Sequence, residues 1–345
     1  MTNPANGIHA INLIVYKIAE ALQVSGYPEP TIWRSSPVTT VADNFDKLYF
    51  PSDSLSRSPK YTRYLSDGKL LRTHTTAIMP DLLPKLQGEQ LIVHPGICYR
   101  RDVVDKRHVG EPHQMDVWLI SEHQLLGREA LVKFIDTIIH TILPGVSYRL
   151  NETSHPYTCN GLEIEVLVDD KWIEVGECGE VHPGLLQPGY TGLASGWGLD
   201  RLVMLVKRID DIRLLRSKNP KIAAQMTHLE PYLPISNQPS ISRDMSIVTG
   251  LDTQLEDICQ QIVEVLGDDA ELLESVNILS ETHYHQLPQQ AIQRLGIQPD
   301  QKNLLVRMAL QSPHSSITNQ KANILRDLVH QKIHHVKRVE GEICQ

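Results

Sequence analysis

Glu163-Ile164-Glu165-Val166-Leu167-Val168-Asp169-Asp170-Lys171-Trp172-Ile173-Glu174-Val175 is the stretch that decides the fold class. Glutamate alternates with aliphatic residues over 163–168, the two-residue period of a strand with one wet and one dry face. Asp169-Asp170 reads as a tight turn and 172–175 as the returning strand, so the segment predicts an antiparallel hairpin. Strand signals extend around it over 146–182. Upstream, Ser121 reads as the cap of a helix over 123–142 that stops at Leu143-Pro144-Gly145. Nearer the start, Ile8, Ile11, Val15, Ile18, Ala19 and Leu22 recur every three or four residues and predict a helix over 8–25, closed by Gly26 and Pro28. Short strand-like pieces alternate with turns over 61–120. Downstream, Gly192–Gly198 reads as a glycine-rich loop running straight into a helix, Leu199–Lys207. Strands and helices do not alternate as βαβ units, so the pattern predicts an α+β fold, an antiparallel sheet flanked by helices. Pro231, Pro234 and Pro239 mark a linker, taken as 229–241, between a domain over 1–228 and another over 242–345. The last domain reads as strand 242–248, helix 252–267, strands 273–283 and 303–310, helix 318–334 and strand 335–340, the ferredoxin-like βαββαβ order.

The composition fits that division. A chain of 345 residues, 41% of them apolar, can bury one large core and one small one. A net charge of −8 argues against a general polyanion binder, so any contact with nucleic acid must come from a local basic face. The five cysteines are scattered without CxxC spacing, which fits a reducing compartment and lends no support to a zinc site. No apolar run approaches the roughly 18 residues of a membrane span. No basic residue precedes Lys17, so a signal or transit peptide is not expected, and the expected location is the cytoplasm.

Three segments carry cations that a structural strand or helix does not need. They are Leu71-Arg72-Thr73-His74-Thr75-Thr76; Tyr99-Arg100-Arg101-Asp102 with His108 and His113-Gln114-Met115-Asp116 after it; and Gly192-Leu193-Ala194-Ser195-Gly196-Trp197-Gly198-Leu199-Asp200-Arg201. An arginine before an acidic turn can hold an α-phosphate, and one on the first turn of a helix can hold a terminal phosphate with help from the helix dipole. Each alone has a plainer reading, as a solvated hairpin edge or a surface salt-bridge partner.

Taken together and in order, these segments resemble the three signature motifs of class II aminoacyl-tRNA synthetases, and the phenylalanyl family in particular. Asn44-Phe45-Asp46, Trp172-Ile173-Glu174-Val175, Asp211-Ile212-Arg213 and Arg243-Asp244 carry the same resemblance, which runs over about 8–340 in a single-chain, organellar layout. It implies a class II catalytic sheet followed by a ferredoxin-fold anticodon-binding domain. The implied reaction is attack of an amino-acid carboxylate on the α-phosphorus of a bent ATP, with Mg²⁺ as cofactor, and then transfer to tRNA. Carried over residue by residue, Arg100 holds the α-phosphate, Arg201 the γ-phosphate, Asp102 the adenine side and Glu174 the Mg²⁺. His74, Thr76, Gln114 and Asp116 match positions that bind the α-amino and carboxyl groups, with Asp116 standing for a family Glu and Thr76 for a Ser. His155 and Tyr157 stand where the family presents two phenylalanine rings to the substrate, Glu177 replaces a nearby glycine, and Ala194 and Gly196 complete the substrate site. These changes leave two readings, a drifted site that still takes phenylalanine and one that prefers an amino acid with a polar atom on its side chain, and the second is the expectation.

Over 301–345 the charge is +4 although 232–345 as a whole carries −5. Lys321, Arg326, Lys332, Lys337 and Arg338 are therefore the candidate contacts to tRNA, the plainer reading being a solvated helix. The expected assembly is a monomer or homodimer that meets no membrane. Two other readings keep the fold: a paralogue that loads a carrier protein or small molecule, and a non-catalytic amino-acid- or tRNA-binding regulator.

Overall fold

The computed structural model describes residues 1–101, 103, 105–235, 240–312 and 316–333. They fall into two compact units. One is Met1–Arg100 with Gly110–Leu233; the other comprises the described residues of Arg101–Val109 and Pro234–Gln345.

In the first unit the strands are β1 Pro30–Ile32, β2 Val38–Thr40, β3 Lys69–Leu71, β4 Gln90–Ile97, β5 His113–Ser121, β6 Tyr148–Glu152, β7 Thr158–Val168, β8 Lys171–Val181 and β9 Thr191–Gly198. Seven of them form one sheet in the order β1-β4-β5-β9-β8-β7-β6, in which only the β1–β4 pair is parallel. β2 and β3 pair separately. The hairpin that opened the sequence reading is β7–β8, and its turn residues Asp169 and Asp170 both take positive φ, 49° and 59°. Asp tolerates that conformation, and two such residues supply the twist a two-residue hairpin needs.

β9 corrects the reading of 192–198 as a loop. Three glycines in seven residues lower strand propensity, but β5 and β8 satisfy the ladder from both sides. Leu193, Ser195 and Trp197 anchor β9 to the core at 2% exposure or less, and Trp197 Nε1 donates to Ser195 Oγ at 2.9 Å. Ser121 is a second correction. It ends β5 and accepts the His123 and Gln124 amides at 3.2 and 3.0 Å, while the helix begins later, at Arg128–Ile142, behind Gly127. Helices Ala10–Val24, Arg128–Ile142 and Leu199–Lys207 cover the sheet face that carries Met115, Val117 and Cys178, burying Ile11, Ile14, Ile18, Phe134, Ile138 and Val203.

One irregularity matters for the opposite face. Between Ile164↔Gly176 and Glu165↔Glu174, β8 carries an extra residue. Glu163 and Glu165 are two apart on β7, so their partners Glu177 and Glu174, three apart on β8, project from one face. Gly176 makes this packing possible, since a Cβ there would lie 2.3 Å from the Gly196 carbonyl oxygen.

In the second unit, β10 Ile241–Gly250, β11 Leu273–His283 and β12 Gln301–Leu310 form an antiparallel sheet in the order β10-β12-β11. Helices Leu255–Leu266 and Asn319–Ile333 pack on it, with Ile258, Ile262, Leu325 and Val329 against Ile247, Val306 and Met308. The order is that of a split βαβ arrangement, with a short helix, Gln289–Leu295, added between β11 and β12. The expected strand over 335–340 lies outside the described residues.

Gly176→Ala forces the β8–β9 backbones apart, and the chain is expected to lose about 1–3 kcal/mol of unfolding free energy in a denaturant titration. An unchanged midpoint would contradict the packing described.

Candidate active site

Strand register builds the site. Across β5, β9 and β8 the rows Trp118–Ala194–Gly179, Asp116–Gly196–Glu177 and Gln114–Gly198 share the face away from the three helices. β9 contributes only Gly192, Ala194, Gly196 and Gly198 to that face. A Cβ on Gly196 would meet only Glu177, at 3.5 and 3.6 Å, and one on Gly198 only Arg201 Cβ and the Val175 carbonyl at 3.7 and 3.8 Å. The middle of the face is an open slot walled by Asp116 on one strand and Glu177 on the other.

The two walls differ. Asp116 is 2% exposed and its oxygens are taken by its own scaffold. Thr75 Oγ1 donates to Oδ2, while Thr76 Oγ1 and Trp118 Nε1 each donate to Oδ1 at 3.0 Å. Burial pushes its pKa up to about 6 against those donors. Asp116 and Thr76, both expected at the α-amino and carboxyl groups, are thus hydrogen-bonded to each other. Glu177, in contrast, keeps 40% of its side chain exposed. Tyr157 donates to Oε1 at 2.5 Å and His155 Nε2 sits 2.8 Å from Oε2. Burial raises the Glu177 pKa, but the His155 and Tyr157 contacts outweigh it and hold the carboxyl below its ordinary value. Tyr157 is buried, stacks on Trp118 at 6.0 Å and has its own pKa pushed well up by burial and then by Glu177. Behind His155, a Cβ at Gly161 would come within 2.9 Å of Nδ1, so Gly161 leaves room for the imidazole.

His74 stacks on Phe50 at 5.2 Å and meets Phe45 edge-on at 6.4 Å. Neither of its ring nitrogens has a hydrogen bond, and burial followed by the Arg100 charge lowers its pKa to about 4, so the ring is neutral at pH 7. Asn44 fixes the segment before it, donating to Thr73 Oγ1 at 2.9 Å and accepting the Thr73 amide at 3.1 Å. Gln114 Oε1 accepts the Cys98 thiol at 3.2 Å.

Both phosphate candidates are anchored on backbone carbonyls. Arg100 donates Nε to the Thr73 carbonyl at 2.8 Å and lies 5.9 Å from the Tyr61 ring centre. Arg201, on the first turn of Leu199–Lys207, donates to the Glu174 carbonyl at 2.6 Å, with its guanidinium 3.7 Å from the Glu174 carboxylate. Burial raises the Glu174 pKa, Arg201 lowers it, Glu163 and Glu177 raise it again, and Arg100 lowers it. Asp102 lies outside the described residues.

Several residues that hold the site together were not foreseen. Asp200 accepts the His113 amide at 2.6 Å and faces His113 Nδ1 at 3.0 Å, with Arg216 at 3.5 Å, locking the Arg201 helix to the start of β5. His94, fully buried, sits 2.9 Å from the Thr75 carbonyl and 3.0 Å from Ser35 Oγ, and burial followed by the Arg72 charge lowers its pKa to about 3. Arg72 is spent on the Ile97 carbonyl and Ser35, so this cation of the first segment is structural.

In the second unit, Lys321 pairs with Asp269 at 2.7 Å and Arg326 with Asp327 at 2.6 Å, while Lys332 is exposed. On the helix, 321 and 332 share a side and 326 lies roughly 140° away, so the described candidates do not make one stripe. Lys337 and Arg338 lie outside the described residues. Arg243 ties β10 to Asn319 and Asn323 at 2.8 and 2.7 Å, and Asp244 pairs with Arg307 at 2.8 Å through both oxygens.

A sheet face lined with small residues between two arginines is the architecture of a class II synthetase core. The family profile of the tRNA synthetases class II core domain (F) matches residues 2–226, and the chain belongs to this family. Within it, the phenylalanine--tRNA ligase alpha subunit of Thermosynechococcus vestitus is 32% identical over 216 residues, 61% of this chain and 63% of that relative's length. The chloroplastic/mitochondrial phenylalanine--tRNA ligase of Arabidopsis thaliana is 27% identical over 325 residues, 88% of this chain and 71% of that one. A solved pyrrolysyl-tRNA synthetase of Desulfitobacterium hafniense aligns with 61% of this chain and 75% of its own, at 16% identity and a TM-score of 0.49. The resemblance to the phenylalanyl family is therefore borne out. Among the described residues no helix is long and apolar enough to cross a membrane.

The folded chain holds the Asp116 proton more tightly than the unfolded chain, with a pKa of about 6 against the ordinary 3.8. Its stabilising contribution is present below the unfolded value and is lost as pH rises through the folded one. Between pH 4 and 7 the wild type is therefore expected to lose on the order of 2–3 kcal/mol relative to Asp116→Asn, measured by denaturant unfolding. A pH-independent difference would show that Asp116 is not buried as described.

Proposed function

We propose that the chain activates an amino acid with ATP as the aminoacyl-adenylate and transfers it to tRNA, as a ligase of the phenylalanine--tRNA type. The observation that carries this reading is that Gly196 and Gly198 leave bare the face between Asp116 and Glu177, with Arg201 held on the Glu174 carbonyl and Arg100 close enough to Glu174 to lower its pKa. An amino-acid carboxylate oxygen bonds to the α-phosphorus of ATP as the bond to the bridging oxygen breaks, and pyrophosphate leaves. A tRNA ribose hydroxyl then attacks the acyl carbon and displaces AMP. This chemistry asks the protein mainly for position and positive charge. Arg100, aimed by the Thr73 carbonyl, neutralises the α-phosphate; Arg201, held by the Glu174 carbonyl and helped by its helix N-terminus, neutralises the far end of the triphosphate. The glycines let a flat ligand lie against the backbone.

Glu174, with Glu163 near enough to raise its proton affinity, offers the one or two carboxylates that Mg²⁺ takes beside phosphate oxygens. Bound there, the ion would offset charge on the triphosphate. Asp116, Thr75, Thr76 and neutral His74 shape the end of the slot where the α-amino and carboxyl groups are read to sit. Cys98, Cys159, Cys178 and Cys259 form no disulfide among the described residues, which suits a reducing compartment such as the cytoplasm or an organelle interior.

Arg100→Ala or Arg201→Ala is expected to raise the barrier to adenylate formation by about 2–4 kcal/mol in pyrophosphate exchange. Near-normal exchange in either variant would remove these residues from the triphosphate site. For tRNA, replacing Lys332, Lys337 and Arg338 by Gln should weaken binding and flatten its salt dependence by about one unit per lost phosphate contact. Unaltered binding would leave the basic strip a solvated face.

A further inference from the structure

The slot has one carboxylate that its own scaffold does not enclose. Asp116 is sealed behind Thr75, Thr76 and Trp118, whereas Glu177 presents 40% of its side chain and is the only group that a Cβ on Gly196 would touch. Two donors fix it from behind: Tyr157, 4% exposed, and His155, whose side chain is 13% exposed. A carboxylate held on two donors still has lone pairs to offer on its open side. Those donors are themselves held rigidly: His155 lies against Tyr157 at 6.1 Å, and Tyr157 stacks on the buried Trp118 at 6.0 Å.

Resting on the reading of this face as an amino-acid-activating site, we infer that Glu177 is the specificity-determining residue and binds the tip of a substrate side chain that carries a hydrogen-bond donor, a hydroxyl or a cation. Tyr157 and His155 act through Glu177 as positioning residues. A phenyl ring entering this slot strips water from the open edge of the Glu177 carboxylate and returns no hydrogen bond, which a charged group tolerates poorly. A donor-bearing side chain of similar size restores that bond. Sites built to bond a polar atom discriminate strongly against the analogue that lacks it. The bulge at Val175 and the missing side chain at Gly196 are what give Glu177 this aspect.

The test is ATP–pyrophosphate exchange with the full chain, across the twenty amino acids and phenylalanine analogues bearing a ring hydroxyl or amine, for the wild type, Glu177→Gln and Tyr157→Phe. Thermal unfolding checks that each variant folds. The wild type is expected to favour donor-bearing side chains over phenylalanine. Glu177→Gln should lower kcat/KM for the preferred amino acid by about 10–100-fold while leaving phenylalanine unchanged or improved, and Tyr157→Phe should move the same ratio in the same direction by a smaller amount. Preference of the wild type for phenylalanine overturns the inference and leaves the activation reading standing, as does an equal loss for all amino acids in a folded Glu177→Gln. Exchange with no amino acid at all removes the activation reading and this inference with it.

Discussion

A central strand with almost no side chains on one face is the constraint from which the rest of the site follows. β9 must bury Leu193, Ser195 and Trp197 against the helices, and it does so while giving only Gly192, Ala194, Gly196 and Gly198 to the other side. Strands β5 and β8 stand on either side at the ordinary spacing of about 4.8 Å, so their outward residues become facing walls roughly 10 Å apart. Gly176 repeats the device one strand over, because only a residue without a Cβ lets the Gly196 carbonyl approach so closely. The helix that begins at Leu199 leaves β9 directly, and the Asp200–His113 contact pins its first turn. Arg201 is thereby placed by the strand that makes the slot, without a flexible connection between them.

The same row of the sheet carries two carboxylates in opposed environments, and that contrast divides their work. Asp116 is surrounded by donors from its own unit and still has its pKa raised to about 6 by burial, so it organises Thr75, Thr76 and Trp118. Glu177 is held below its ordinary value by His155 and Tyr157 and stays ionised with one side open. Pairs of titratable groups driven apart in this way are a common means of giving one fold two chemistries.

How much of this was legible in the sequence depended on whether the deciding interaction was local. The β7–β8 hairpin could be read because alternation and the Asp169-Asp170 turn are short-range signals, and the helix over Ala10–Val24 because its apolar period is regular. β9 was misread as a loop because its stability comes from two neighbouring strands rather than from its own glycine-rich composition. Ser121 was misassigned because a serine that closes a strand caps the following turn with the same chemistry as a helix cap. The candidate site residues are expected from family resemblance, which says nothing of their partners. The face shared by Glu174 and Glu177 depends on a bulge, and the seals on Asp116 and the Arg72–His94 contacts depend on tertiary packing that no spacing reveals. The basic helix looked like one stripe by charge count, yet Lys321 and Arg326 are each paired with an aspartate.

We propose that the slot above Gly196 receives an aminoacyl-adenylate, with the phosphate held at Arg100 and the amino-acid side chain directed to Glu177. A crystal structure of the chain with a non-hydrolysable aminoacyl-sulfamoyl-adenosine, carrying a side chain that donates a hydrogen bond, tests this most directly. The account predicts the sulfamoyl group against the Arg100 guanidinium, the ligand lying across Ala194, Gly196 and Gly198, and the side-chain donor within hydrogen-bond reach of Glu177. Density for the ligand away from this face, or a side chain turned from Glu177 toward Asp116, would contradict it.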